Sequence, residues 1–279
     1  MPACPPGDRA IASPSAAFEV IAPSAAARPL VLHVPHAGTM IPVEARDGLL
    51  PSDADLDREK LRLTDWHTDR LFAWGRGIGA TMMVNRLSRL VVDPERFADD
   101  ALEPMAAVGQ GAVYTFGTDG RRLRRLGDEE RQALISRWYD PYHAELTAVV
   151  GSMLDRFGTC LILDCHSFAT VPLASEQDQS PQRPDVCIGT DDFHTPPELV
   201  AGLVAGASAE GFKVDVDRPF SGAMVPSVWY RREKRVTSVL IEVRRGLYCD
   251  ERTGTPIRQF DDVARRLERA VRAALSLGR

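Results

Sequence analysis

What most constrains the fold of this 279-residue chain is an alternation of short apolar runs with longer helical patterns. Runs at 18–21, 30–34, 80–84, 160–163, 186–188, 213–216 and 239–243 have the length and residue types of strands. Between them, 66–75, 128–153, 197–210 and 261–277 carry apolar residues at three- and four-residue spacing, the period of a helix with one buried face. Strands separated by helices tend to pair in parallel, and several runs are apolar throughout, as strands covered on both faces are. The expected architecture is an α/β domain around a largely parallel sheet, spanning 13–279 after a short tail at 1–12. A core of this size forms without disulfides or a structural metal. A bound metal would therefore serve chemistry.

Composition narrows the partners. Net charge is −5, so no basic excess points to nucleic acid. The cluster Arg121, Arg122, Arg124 and Arg125 reads as a solvated turn or helix face. The cysteine count is five and no CxxC occurs, which indicates neither a disulfide framework nor a zinc finger and fits a reducing compartment. Residues 1–28 are interrupted by Asp8, Arg9 and several prolines and make a poor signal peptide. No apolar stretch has the length of a membrane span. The expectation is a cytoplasmic protein acting on a small molecule, with no nucleic-acid or membrane partner.

In α/β sheets functional groups gather just beyond the carboxyl ends of the strands. In "VLHVPHAGTMIP", 31–42, His33 lies inside the strand and reads as a hydrogen-bonded structural residue. His36 lies past the strand end, between Pro35 and Gly38, where a ligand would stand. In "CLILDCHSF", 160–168, a second strand runs into His166, with Asp164 placed to orient its imidazole. In "RLTDWHTDRL", 62–71, Asp65 is either a helix N-cap or a carboxylate ligand, with His67 and Asp69 as rivals that spacing does not separate. Glu242, inside the apolar run of "IEVRRG", is either ion-paired with Arg244 two residues on or a general base for a metal-activated water. In "NRLSRLVVDPERF", 85–97, Arg86, Arg89 and Arg96 suit a carboxylate or an oxyanion, although composition favours surface pairs with Asp93, Glu95, Asp99 and Asp100. A Cys165–His166 nucleophile pair ranks below a metal, because strand neighbours point to opposite faces.

Together, "PHAG..IP" at 35–42, "TDWHTDRL" at 64–71, "SRLVVDPERF" at 88–97, "YDPYH" at 139–143, "LDCHS" at 163–167, "PFSGA" at 219–223 and "IEVRRG" at 241–246 resemble the N-formylglutamate amidohydrolase family. That family is related to zinc carboxypeptidases and aspartoacylase-type deacylases. The resemblance implies a three-layer α/β/α hydrolase with a mixed, largely parallel sheet and one zinc ion (Zn2+) per chain. It implies cleavage of an N-formyl, or other small N-acyl, amide of an amino acid such as N-formylglutamate. It makes His36, His166 and Asp65 the zinc ligands, Glu242 the water-activating base, Arg89 the group that polarises the carbonyl and Arg96 the grip on a substrate carboxylate. Arg86, Ser167, Gly222, Arg244 and His143 are further candidates for substrate binding. Thr39 stands where zinc carboxypeptidases place a glutamate ligand, so the carboxylate must come from elsewhere. The family pattern Asp-x-Asn-Arg here reads Asp93-Pro94-Glu95-Arg96. An ionised Glu95 would repel a substrate carboxylate or occupy Arg96, which leaves a different N-acyl amino acid or a peptide end as the alternative substrate. A non-catalytic binding protein on the same fold is the more distant alternative.

Overall fold

The computed structural model describes residues 17–276; the expected tail at 1–12 lies outside them. Each of the seven apolar runs is a strand: β1 Phe18–Ile21, β2 Leu30–Val34, β3 Thr81–Asn85, β4 Cys160–Phe168, β5 Val186–Gly189, β6 Val214–Val216 and β7 Val236–Arg244. They form one sheet in the order β1-β3-β2-β4-β7-β5-β6. β3, β2, β4 and β7 run parallel, as do β5 and β6, while β1 on β3 and β5 on β7 are antiparallel. The sheet is thus mixed and largely parallel. β8 Cys249–Asp250 and β9 Thr255–Pro256 form a separate small ribbon.

The helices are α1 Val43–Arg46, α2 Asp53–Leu63, α3 Thr68–Leu71, α4 Asp128–Leu134, α5 Asp140–Phe157, α6 Pro197–Ala209 and α7 Phe260–Ala274. They cover both faces. α5 packs Tyr142, Leu146, Val150 and Met153 on Val31, Met83, Ile162 and Val236. On the other face α6 (Leu199, Leu203) and α7 (Val263, Leu267, Val271) pack on Leu32, Val34, Leu163, Val239 and Ile241. α6 and α7 approach so closely that a Cβ on Gly206 would lie 2.5 Å from the Ala270 carbonyl oxygen. The result is a three-layer α/β/α fold.

Two helical expectations change, and one helix is new. The helix at 128–153 is α4 and α5 joined through a π-helical turn, Ile135–Tyr139. Pro141 follows that turn, and it has no N–H for the carbonyl four residues back, so the ladder shifts there. The helix at 66–75 contracts to α3 and a 3-10 segment, Ala73–Ile78, that holds Gly75 and Gly77. α2 is unanticipated. Ser52 caps it, with Oγ accepting from the Asp55 amide at 3.2 Å. Its buried face is only Leu56, Glu59 and Leu63, too thin an apolar stripe to read.

Side-chain alternation positions the site. On the α5 face β4 presents Ile162, then Asp164, then His166; β2 presents Val31, then His33; β7 presents Val236, then Glu242 farther on. That face is apolar at the start of the strands and polar toward their carboxyl ends, beneath Tyr142 and His143 of α5.

Candidate metal centre

Three loops and strands bring His36, Asp65 and His166 together. His36 follows β2, where the chain passes so near the Arg86 carbonyl that a Cβ on Gly38 would lie 2.3 Å from its carbon; only glycine fits there. Asp65 follows α2, and its amide donates to the His36 carbonyl at 3.0 Å. His166 lies inside β4, not past its end. The expected strand end at 163 moves to 168 because 164–168 pair with Leu240–Arg244 of β7.

His36 Nδ1 is 3.2 Å from His166 Nδ1, His166 Nδ1 is 3.2 Å from Asp65 Oδ2, and His36 Nδ1 is 3.7 Å from that oxygen. Donors around a tetrahedral ion with bonds of about 2.0–2.1 Å stand about 3.3–3.4 Å apart. The far ring nitrogens agree with this. His36 Nε2 is 2.8 Å from Asp93 Oδ1 and His166 Nε2 is 2.9 Å from Asp164 Oδ1. An ionised carboxylate only accepts, so each Nε2 carries the proton and each Nδ1 turns a lone pair inward. Two lone pairs and a carboxylate oxygen at these separations repel unless a cation lies among them. All three residues are buried. The donor set therefore fits a metal ion.

The electrostatics carry the same demand for positive charge. Burial works against a proton on His166, yet Asp164, Asp65 and Glu95 outweigh it and push its pKa well above the imidazole range. Burial would raise Asp65, but His166 and His36 hold it well below the carboxylate range. The rivals for the third position are engaged elsewhere: His67 Nε2 meets the Gly254 carbonyl at 2.7 Å, and Asp69 pairs with Arg86 at 2.8 Å.

Glu242 stands beside His166 in the parallel register of β4 and β7. It is 8 % exposed, and among the described residues Oε2 has no hydrogen-bond partner. Burial pushes its pKa up to about 8. The expected pair with Arg244 does not form. Arg244 reaches sideways to the Asp185 carboxylate and backbone, which the antiparallel β5–β7 junction brings alongside. Arg86 also stands apart, paired with Glu19 and Asp69. Neither arginine lines the cavity.

That cavity, about 470 Å³, is lined by His36, Asp65, His166 and Glu242 together with Arg89, Arg96, His143, Ser167 and Gly222. Arg89 grips Asp93 through Nε at 3.0 Å and Nη2 at 2.6 Å, and Tyr114 donates to the same oxygen at 2.7 Å. Asp93, expected as one of several surface acids, is instead a fully buried hub between His36 and Arg89. The signal for it was present: "LVVD" ends an apolar run in an acid, as "LILD" does. His143 Nε2 donates to the Pro94 carbonyl at 3.0 Å, and burial lowers its pKa to about 4. Ser167 lines the cavity beside Arg245, whose Nε lies 3.3 Å from its Oγ. Arg245 itself, buried and lining the cavity, went unnoticed behind its neighbour Arg244.

Glu95 departs from both outcomes expected of it. Its Oε1 turns inward, 3.0 Å from His33 Nδ1 and 3.7 Å from His166 Nε2. His33 lies in turn 2.8 Å from Asp164 and 2.6 Å from the Tyr142 hydroxyl. Burial opposes a proton on His33, but Asp164 and Glu95 outweigh it and hold its pKa at about 9. The Glu95 charge is thus met by an imidazolium, and the Nε of Arg96 has no hydrogen-bond partner among the described residues. Cys165 faces the opposite side of β4, in the α6–α7 core, and burial drives its thiol pKa well up. That removes the cysteine nucleophile.

Comparison with known proteins agrees with this picture. The family model for N-formylglutamate amidohydrolase matches residues 28–249. The N-formylglutamate deformylase of Pseudomonas aeruginosa is 29 % identical over 88 % of this chain and 91 % of its own length. That of Pseudomonas putida is 27 % identical over 80 % and 82 %. The crystal structure of N-formylglutamate amidohydrolase from Ralstonia eutropha superimposes with a TM-score of 0.81 at 28 % identity, covering 93 % of this chain and 98 % of that one. A gene product of Agrobacterium tumefaciens shares the fold, with a TM-score of 0.65 at 21 % identity over 94 % and 96 %. Fold and relatives define a class, the hydrolases of amide bonds. Within that class, the chain belongs to the N-formylglutamate amidohydrolase family. Among the described residues no helix is long and apolar enough to cross a membrane.

Proposed function

We propose that this chain is a zinc-dependent deformylase of N-formylglutamate. The observation that carries the reading is the donor triangle of His36, Asp65 and His166 with Glu242 beside it on the neighbouring strand. Two imidazoles and a carboxylate are a common catalytic zinc set that leaves a position open. When bound, zinc supplies Lewis acidity: it polarises the formyl carbonyl and lowers the pKa of a coordinated water toward ~7.

The rest is the work of the protein's own side chains. Glu242, unpaired at Oε2, takes a proton from the attacking water and delivers it to the amide nitrogen as the C–N bond breaks, releasing formate and glutamate. Arg89 holds Asp93 with Nε and Nη2, which leaves Nη1 for the developing oxyanion, a contact worth roughly 3 kcal/mol per good donor. Arg96, whose Nε makes no hydrogen bond and lies 4.0 Å from Asp93 Oδ2 and 3.9 Å from Glu103 Oε1, takes a carboxylate of the substrate. With Glu95 neutralised by His33, a doubly charged substrate meets no free like charge at that point. Asp93 and Asp164 keep the two imidazoles turned with Nδ1 inward.

The test is zinc content measured together with hydrolysis of formyl-, acetyl- and succinyl-amino acids. We expect stoichiometric zinc that is lost in His36→Ala and His166→Ala, and the highest kcat/KM on formylglutamate. Unchanged metal content in both variants would sink the site. A preference for acetyl or succinyl substrates would replace the substrate assignment.

A further inference from the structure

Asp65 turns one oxygen, Oδ2, toward both imidazoles. Nothing in the triangle itself decides which oxygen this is, or holds the plane of the carboxylate. The other oxygen, Oδ1, faces Nη2 of Arg245 at 3.5 Å, and among the described residues Arg245 is the one arginine or lysine within ion-pair distance of Asp65.

Arg245 is unusually well anchored for a residue that lines a cavity. It is 3 % exposed. Its Nη1 donates to the Arg62 carbonyl at 2.9 Å, Nη2 to the Ser167 carbonyl at 3.2 Å, and Nε points to Ser167 Oγ at 3.3 Å. Arg62 lies in α2, three residues before Asp65; Ser167 follows His166 in β4; Arg245 directly follows β7, which carries Glu242. One guanidinium therefore touches or adjoins the elements that supply Asp65, His166 and Glu242.

We propose that Arg245 is a positioning residue: through Oδ1 it selects Oδ2 of Asp65 as the metal donor and fixes the carboxylate plane in the ligand triangle. The inference rests on the metal role proposed above for His36, Asp65 and His166. Arginine is the side chain for this task. Its charge is permanent, and its planar fork serves carbonyls and a carboxylate at once, which the single ammonium of lysine does not reproduce. Partners of metal ligands that act this way typically change metal affinity by about 10–100-fold when removed.

The experiment measures zinc affinity by chelator competition in the full chain for wild type, Arg245→Gln, Asp65→Asn and the double variant. Far-UV circular dichroism checks folding. Arg245→Gln should bind zinc about 10–100-fold more weakly. In the Asp65→Asn background the same change should have little further effect, because the charged carboxylate that Arg245 orients toward the metal is gone. Arg245→Lys, which keeps the charge, should give an altered visible spectrum with cobalt in place of zinc. It is also the variant to read if Arg245→Gln does not fold. An additive loss in the double variant would overturn the proposal, since it would mean that Arg245 only braces the fold. So would wild-type affinity and a wild-type cobalt spectrum in Arg245→Lys. A wild-type chain that takes up no zinc would overturn the functional reading itself, and is distinguishable from a zinc-loaded enzyme indifferent to Arg245.

Discussion

A carboxylate with one oxygen buried and unpaired, as at Glu242, costs stability, a cost that a fold carries where the group has work to do. Glu242→Gln keeps the shape and removes the base. We expect zinc content to be unchanged and kcat to fall by at least ~10²-fold, measured on formylglutamate. Near-normal turnover would remove Glu242 from the base role. Arg96 is tested by a different signature. Arg96→Ala should raise KM by about 10–100-fold with a smaller change in kcat, because a carboxylate grip is made in ground state and transition state alike. A fall in kcat at constant KM would place Arg96 at the reacting carbonyl instead. His36, His166 and Glu242 could be singled out in the sequence because a histidine or acid at the edge of an apolar run is costly to explain otherwise, whereas spacing left Asp65 level with His67 and Asp69 and only the family resemblance chose it. Glu95 and Arg245 could not, since each adjoins or nearly adjoins another charged residue and only the three-dimensional packing separates buried from exposed; Asp93 carried the same signal as Asp164, an acid closing an apolar run, but stood among several acids that read as surface pairs.

At the scale of elements, the inner strands β2, β3 and β5 were legible because burial on both faces writes a continuous apolar run, while the edge strands β1 and β6, partly exposed, showed only through their β-branched residues. The extent of β4 and β7 was not, because the second half of β4, Asp164–Phe168, and the start of β7, Val236–Ser238, carry polar residues that read as loops. α2 is not legible because its apolar stripe is thin and the charged Glu59 on its buried face is satisfied by the Thr118 amide at 2.6 Å and hydroxyl at 3.0 Å, contacts remote in sequence. Ser52→Ala should cost about 1 kcal/mol in chemical denaturation, the usual worth of an N-cap. The junction of β2 with α5 gives a pH signature. His33 has its pKa held at about 9 in the fold, above the ~6.5 of an unfolded histidine. Its pairing with Asp164 and Glu95 thus contributes fully below ~6.5 and is lost as pH rises toward 9. The unfolding free energy of wild type should decline across that window, and His33→Asn should flatten the decline. An unchanged slope in the variant would mean that His33 is neutral in the fold.

For the molecule as a whole, the apolar clusters on the two sheet faces contain none of the proposed ligands. The fold should therefore survive chelation. Removal of zinc with EDTA is expected to leave the far-UV spectrum intact and to lower Tm. Zinc at a hundredfold excess over its Kd should restore about 2.7 kcal/mol. Collapse of secondary structure on chelation would show that the metal is structural.

β7 is clamped along Leu240–Val243 by β4 on one side and β5 on the other. Backbone amides held in this way exchange with solvent only when the whole sheet opens. The amides around His166 and Glu242 should be among the slowest to exchange, while those of the loop carrying Gly222 exchange early. Chemistry and specificity would then age differently under heat: substrate selection loosens first, and the proton-transfer machinery fails only when the molecule melts.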